Sequence, residues 1–264
     1  MEIQKFYEQQ GQNFAAFFLS DIHLRNECPE DIKTLEIFID HLISIQSKAD
    51  IYFLGDIFDF WFGFATPVKK QVQSLLLKLS HYNKSQGQVV FFEGNHDVHL
   101  SAYFNKLGFD VVQDSKVIQI QNQKVVLEHG DLFNPEDKMY LFLRRFLRQN
   151  WVRILGLYIV PSFITSSIGF YFSNPTAKIT KVRSQKVSES IRQKFLKHAL
   201  QRLNDTDADV FIAGHTHERV SAEVKLHNKK AQVINLGSWF DIKSVFTIRL
   251  EKENKMSFEF YKLN

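Results

Sequence analysis

Five short runs in this chain carry side chains that bind metal ions: Asp21-Ile-His23, Gly55-Asp56, Gly94-Asn95-His96-Asp97, His129-Gly130-Asp131 and Gly214-His215-Thr216-His217. They offer carboxylates, imidazoles and an amide oxygen but no thiolate, a set that suits Mn²⁺, Fe, Zn²⁺ or a similar borderline ion. Each run alone has an ordinary explanation. Asp-Ile-His reads as a solvated turn, Gly-Asp as a plain turn, and His-Thr-His as a surface pair. Five in succession, each directly after an apolar run, make coincidence a poor account, because loops at strand ends are where a rigid sheet presents side chains to one point. The donors outnumber what one ion needs, so the pattern predicts a pair of ions. Two ions about 3.5–4 Å apart can share a carboxylate, generate hydroxide near neutral pH and clamp a phosphoryl group during in-line attack.

A scaffold must bring these donors together, and the surrounding periodicity supplies one. Apolar runs at 14–20, 50–56 and 88–95 read as buried strands. Between them, 29–48 repeats Ile32, Leu35, Phe38, Ile39, Leu42 and Ile45 on one helical face, with Asp31 as its expected N-cap. A second helix is expected over 67–86, with Val68, Val72, Leu75, Leu76 and Leu79 inward, and a hairpin over 117–128 turning at 121–123. From about 208 short strands return (DVFIAG, RVSAEVKL, AQVINL, SVFTIRL and SFEFYKL), with turn signals at His227-Asn228 and Glu253-Asn254. The pattern predicts an α/β (α+β) chain: one domain over 1–264, built as a β-sandwich flanked by helices, with a helical insertion at 135–202.

Composition limits the alternatives. With 264 residues, 44% of them hydrophobic, and only 11 Gly and 5 Pro, the chain is neither disordered nor collagen-like. A lone cysteine, Cys28, excludes an intramolecular disulfide and any thiolate-built zinc site, and fits a reducing cytosol. The polar opening MEIQKFYEQQGQN is not a secretory signal. The net charge of +4 is unevenly spread: 138–202 holds thirteen Lys and Arg against one acid, Glu189, leaving 20 of the 33 basic and 28 of the 29 acidic residues elsewhere. One segment is thus set to meet an anionic partner.

Residues 154–177 contain no charged side chain, and by length alone they could cross a membrane. Topology argues against it, because His129 lies before the run and His215 after it, yet both must reach one site. Pro161, Gly156 and Gly169 also interrupt it. The expectation is an apolar cap that shelters a greasy substrate or dips into one leaflet, its basic flanks meeting anionic headgroups. The plain alternative is an ordinary small helical core.

The motif order resembles the calcineurin-like metallophosphoesterase superfamily over about 14–240. By position, that resemblance implies a four-layer metallophosphoesterase-type sandwich with Asp21, His23 and His217 on one ion. Asn95, His129 and His215 would hold the second, with Asp56 bridging. His96 would contact the phosphate and protonate the leaving oxygen, with Asp97 orienting His96. Asp59 and Asp131 read as structural carboxylates. Glu93, Glu128, His41, His81, His99, His198 and His227 read as surface or locally satisfied groups.

The apolar, basic insertion narrows the resemblance. GDIFDFWFG (55–63) and HGDLFNPED (129–137) are similar to segments of the UDP-2,3-diacylglucosamine hydrolases of lipid A synthesis. One position departs, since His96 stands where many members carry Arg. This resemblance implies two divalent ions, Mn²⁺ foremost with Fe, Zn or Mg as alternatives, and cleavage of an acylated nucleotide sugar to UMP and 2,3-diacylglucosamine 1-phosphate. It implies substrate contacts at Asn95, His96, Asp137, Ser184, Lys186 and His215, and a cytoplasmic enzyme peripheral to the inner membrane, with no protein partner. A phosphodiesterase or nuclease is the rival enzyme, but nucleic acid is disfavoured because the aromatic residues sit in a charge-free run instead of interleaving with Lys and Arg. A non-catalytic scaffold of the same fold would have lost ligands, and none of the seven is missing.

Overall fold

The computed structural model describes residues 13–25, 28–59, 61–62, 70–152, 154, 185–226, 229–251 and 255–263. Strands β1 (Phe14–Leu19), β2 (Asp50–Leu54) and β4 (Val89–Phe92) are apolar at nearly every position because both of their faces are covered. Ala16, Phe18, Tyr52, Leu54, Val90 and Phe92 point into a core shared with a second sheet, while Phe17, Leu19, Ile51, Phe53, Val89 and Phe91 pack on the opposite side. There they meet Ile32, Leu35, Phe38, Ile39 and Leu42 of helix α1 (Pro29–Ser44), and Leu75, Leu76 and Leu79 of helix α2 (Lys70–Ser85).

The short strands β3 (Trp61–Phe62) and β5 (Asp97–Val98) pair with each other. The first large sheet has six strands in the order β13-β12-β1-β2-β4-β6, where β6 is Asp110–Val112, β12 is Ser244–Leu250 and β13 is Met256–Lys262. Its strands β1, β2, β4 and β6 run parallel, with Phe17 opposite Ile51 and Ile51 opposite Val89. The second sheet has five strands in the order β10-β11-β9-β8-β7. These are β7 (Ser115–Ile120), β8 (Gln123–Glu128), β9 (Val210–Ala213), β10 (Val220–Leu226) and β11 (Lys229–Asn235), with β8, β9 and β11 parallel. Between β4 and β6 lies the single turn α3 (Ser101–Phe104), and α4 (Lys138–Leu147) follows β8. Phe195, Ala199 and Leu203 of helix α5 (Gln185–Thr206) cover Val126, Phe211, Ala213 and Val233 on the outer face of the second sheet. The result is four layers: helices, sheet, sheet, helix.

The expected elements are found, with shifted ends. The first helix stops at Ser44, and its N-cap is Cys28, not Asp31. Pro29 sits in the first turn, where its fixed φ starts the helix without a side-chain cap. Asp31 instead turns inward, accepting from Trp239 Nε1 at 3.0 Å and pairing with Lys243 Nζ at 2.7 Å. The hairpin is tight, with Ile120 opposite Gln123. Val68, His227-Asn228, Glu253-Asn254 and nearly all of 154–177 lie outside the described residues. The stretch expected as an insertion, 135–202, shares its last turns with the fourth layer through Phe195 and Ala199. Among the described residues no helix is long and apolar enough to cross a membrane.

Parallel neighbours end on the same side of a sheet, so the segments after β1, β2 and β4 gather at one edge. Those after β8 and β9 gather at the matching edge of the second sheet. Asp21 N–H donates to Gly55 O at 3.1 Å and His23 N–H to Asp56 O at 3.0 Å, while Gly214 N–H donates to His129 O at 2.9 Å. Those bonds fix the loops to one another.

Candidate metal centre

Two groups of ligating atoms stand where the sheet edges meet. In one, His217 Nε2 lies 3.2 Å from Asp21 Oδ1 and 3.4 Å from His23 Nε2. In the other, His129 Nε2 lies 3.0 Å from Asn95 Oδ1 and 3.1 Å from His215 Nδ1. Asp56 Oδ2 sits between them, 3.5 Å from His129 Nε2 and 4.0 Å from His23 Nε2. Asp21, His23 and His217 form one set compact enough to hold an ion, and Asp56, His129 and His215 form another. A third compact set combines His23, Asp59 and His96.

In Asp21, Asp56 and His129 the second polar atom is committed to the backbone, which aims the first. Asp21 Oδ2 accepts from His215 N–H at 2.9 Å, and Asp56 Oδ1 from His96 N–H at 2.9 Å. His129 Nδ1 contacts Leu54 O at 2.8 Å, so its Nε2 is the nitrogen that faces the cluster. Each group also brings two imidazole nitrogens head to head, a contact that requires a proton or a cation between the two lone pairs. Buried carboxylates and convergent imidazole nitrogens fit a pair of divalent ions.

Local sequence explains this crowding. Asp21, His23, Asp56, His215 and His217 all have positive φ, between 49° and 68°, a region that non-glycine residues enter at a cost. The glycines beside them admit close approach: a Cβ on Gly94 would lie 2.0 Å from Asp56 Oδ1, and one on Gly214 2.2 Å from Asp21 Oδ2. Asp97 gathers the loops from beneath, accepting from the backbone N–H groups of Gly94 at 2.8 Å, Asp56 at 3.0 Å, Ile57 at 2.7 Å and Phe58 at 3.3 Å.

The electrostatics divide the histidines. Burial lowers His23 to about 4, against the pull of Asp56. Burial and the neighbouring His129 likewise lower His215 to about 4. Burial also works downward on His129, but Asp56, Asp21 and Asp131 outweigh it and hold the imidazole up at about 9. Burial works downward on His217 too, but its bond to Asp21 and the charges of Asp21 and Asp56 together outweigh it and leave the imidazole raised. Burial would lift Asp21 and Asp56, yet the facing histidines hold both carboxyls below the usual range. Burial first, then the Asp56 charge, pushes Asp97 up to about 7 against the donated amides.

Six of the seven expected ligands thus fall into the two compact sets, and the seventh, Asn95, reaches the second through His129. His96 is half-buried beside them, its Nδ1 2.6 Å from Asp59 O and its ring edge-on to His23 at 4.8 Å. The orienting contact of His96 is therefore a backbone carbonyl, while the bonds of Asp97 run to amides. Asp59 pairs with Arg25 at 3.1 Å and lies closer to the centre than a purely structural carboxylate would. Asp131 is structural as expected, bonded to Arg144 Nε at 2.5 Å and Tyr140 Oη at 2.7 Å. Glu128 is satisfied by His198 at 2.6 Å and Arg202 at 3.0 Å. Asp137 is the N-cap of α4, accepting from Tyr140 N–H at 3.0 Å. Ser184 and the side chain of Lys186 lie outside the described residues. Sequence reasoning did not reach Phe240, whose ring stacks on His23 at 5.8 Å, or Tyr140 and Phe133, which line His215. None of these aromatics stands in a recognisable spacing with the residue it touches.

Known proteins resemble this chain in sequence along most of its length. Residues 16–219 match the calcineurin-like phosphoesterase family. A UDP-2,3-diacylglucosamine hydrolase of Aeromonas hydrophila is 30% identical over 239 residues, covering 89% of this chain and 95% of the relative. One from Photorhabdus laumondii is 28% identical over 247 residues, covering 92% and 98%. A predicted phosphoesterase of known structure from Streptococcus pneumoniae overlays with a TM-score of 0.42 at 12% identity, covering 95% of this chain and 90% of that one.

Proposed function

This chain belongs to the calcineurin-like phosphoesterase family, and on that premise we propose that it is a metal-dependent hydrolase of the diphosphate in UDP-2,3-diacylglucosamine. The products are UMP and 2,3-diacylglucosamine 1-phosphate. The observation that carries the chemistry is the Asp56 carboxylate standing between two ligand sets, 3.5 Å from His129 and 4.0 Å from His23. The substrate rests on relatives of that name which align along 89% and 92% of the chain.

In this reading Asp21, His23 and His217 would hold one divalent ion and Asn95, His129 and His215 the other, with Asp56 available to both. Such ions, Mn²⁺ foremost, supply Lewis acidity and make water acidic enough to attack near neutral pH. Hydrolysis would add a water oxygen to a phosphorus of the diphosphate as the P–O bond to the departing phosphate breaks, with the proton of the water passing to solvent. Asn95 and His96 offset charge on the equatorial oxygens, the dominant contribution in phosphoryl transfer. His96 Nδ1–H donates to Asp59 O at 2.6 Å, which frees Nε2 to take up a proton and, from the imidazolium so formed, pass it to the leaving oxygen. Asp137 is assigned to the glucosamine, and Ser184 and Lys186 to holding the substrate from the cap. The basic, apolar segment meets the acyl chains and the anionic face of the inner membrane from the cytoplasm.

The test is UMP release from UDP-2,3-diacylglucosamine and from the same nucleotide sugar without acyl chains, each with Mn²⁺ and with chelator. Metal-dependent release from the acylated compound alone is the expected result. Equal cleavage of the unacylated sugar, or cleavage of simple phosphodiesters only, would leave the dimetal chemistry standing and refute the lipid substrate.

A further inference from the structure

Arg148 follows the last turn of α4, far in sequence from every ligand motif, yet its guanidinium reaches the loop that carries Asn95 and His96. Nη2 donates to Glu93 O at 3.2 Å and Gly94 O at 3.1 Å, and Nη1 donates to Gln113 O. The carboxylates of Glu93, at 3.7 Å, and Asp114, at 3.6 Å, balance its charge. The Arg148 side chain is 10% exposed and that of Glu93 fully buried, so these bonds are shielded from water.

The consequence lies in the peptide that Arg148 grips. Gly94 N–H is held by Asp97 at 2.8 Å, and Gly94 O by Arg148, so the peptide planes on both sides of Gly94 are fixed. Asn95 comes next, with its Oδ1 3.0 Å from His129 Nε2, and then His96, whose N–H is bonded to Asp56. Gly94 has no side chain to restrain it, and a Cβ there would collide with Asp56. Restraint must therefore come from bonds to its N–H and its carbonyl. We propose that Arg148 is a positioning residue for the second metal site, setting the Gly94–Asn95 peptide so that the Asn95 amide oxygen faces His129 Nε2. The proposal rests on the metal-centre reading above.

Residues that hold a metal ligand in place typically govern metal affinity by about 10–100-fold. The experiment is titration of the metal-free full-length chain with Mn²⁺, counting bound ions by electron paramagnetic resonance and following thermal unfolding in parallel. Wild type is expected to bind two Mn²⁺. Arg148→Met, which keeps the bulk and loses the donors, should bind one ion as before and the second at least tenfold more weakly. Arg148→Lys, with charge retained but no fork to span the Gly94 and Gln113 carbonyls together, should show the same split at near-normal melting temperature. Arg145→Met, an exposed neighbour on the same helix, should behave as wild type.

Two undisturbed sites in both Arg148 variants would overturn the assignment. So would equal weakening of both sites, or loss of the folded state in the Lys variant as well, since either makes Arg148 a general structural residue. A wild-type chain that takes up no Mn²⁺ would sink the metal-centre reading, and this inference with it. Two ions bound with the same affinities in wild type and in both variants would sink this inference alone.

Discussion

At the scale of single residues, the centre depends on atoms that are absent as much as on those present. Gly214 precedes His215 and has no hydrogen-bonding side chain, but the backbone at this point lies against Asp21 and Ser20. A Cβ there would fall 2.2 Å from Asp21 Oδ2 and 2.4 Å from Ser20 Oγ. Both contacts are with buried residues, so relief requires Asp21 to move off the His215 amide that orients it. Gly214→Ala should therefore destabilise the fold by about 1–3 kcal/mol, the usual cost of overpacking, and weaken metal uptake as well. Urea denaturation and Mn²⁺ titration of the same sample read the two effects, and full affinity would show that Asp21 is not a ligand. Asp56→Ala is the complementary change, removing the shared carboxylate and relieving crowding. Turnover should vanish while the circular dichroism spectrum stays that of wild type; retained turnover would rule out Asp56 as the bridge.

At the scale of elements, the sequence was most legible where one element buries both faces or one stripe. The runs at β1, β2 and β4 are apolar throughout because helices cover one side and a second sheet the other, and α1 shows its inward stripe plainly. The ligand motifs were legible for a related reason, since each directly follows a strand and inherits its position from it. What could not be read was contact between distant elements. Asp31 has the residue type and place of an N-cap, but it accepts from Trp239, 208 residues away, because Pro29 already starts the helix. The backbone N–H of Trp239 in turn reaches Asp21 O at 3.3 Å, so α1, the loop after β11 and the first ligand loop form one joint. Asp31→Ala would leave the Trp239 indole N–H and the Lys243 ammonium without this acceptor. A loss of about 1–3 kcal/mol follows from stranding buried donors, measurable as a lower urea midpoint with an unchanged slope. Were Asp31 only an exposed helix cap, Asp31→Ser would preserve stability; with the buried role it should not.

At the scale of the whole molecule, each proposed ion takes ligands from both sheets. Asp21 and His23 follow β1 and meet His217, which follows β9; Asp56 and Asn95 follow β2 and β4 and meet His129 and His215 from the second sheet. Metal uptake should therefore clamp the two halves of the sandwich, stabilising the folded chain by about 2.7 kcal/mol for one ion present at a hundred times its dissociation constant. Chelation should lower the melting temperature of the entire cooperative transition, not of one segment. The pH dependence follows from the histidines. His23 and His215, lowered to about 4, are already neutral above pH 6, whereas His129, held up at about 9, still carries its proton there. In the metal-free chain the raised group His129 contributes stability below its unfolded value near 6.5, and that contribution is lost as pH rises through about 9. A metal ion must displace the same proton, so the sign for binding is opposite. Mn²⁺ affinity should rise by about tenfold per pH unit for each proton displaced, between pH 6.5 and 8. Calorimetric titration in buffers of different ionisation enthalpy counts those protons directly. Uptake that releases none across that interval would mean His129 is not a ligand, and that the clamp between the sheets is formed without it.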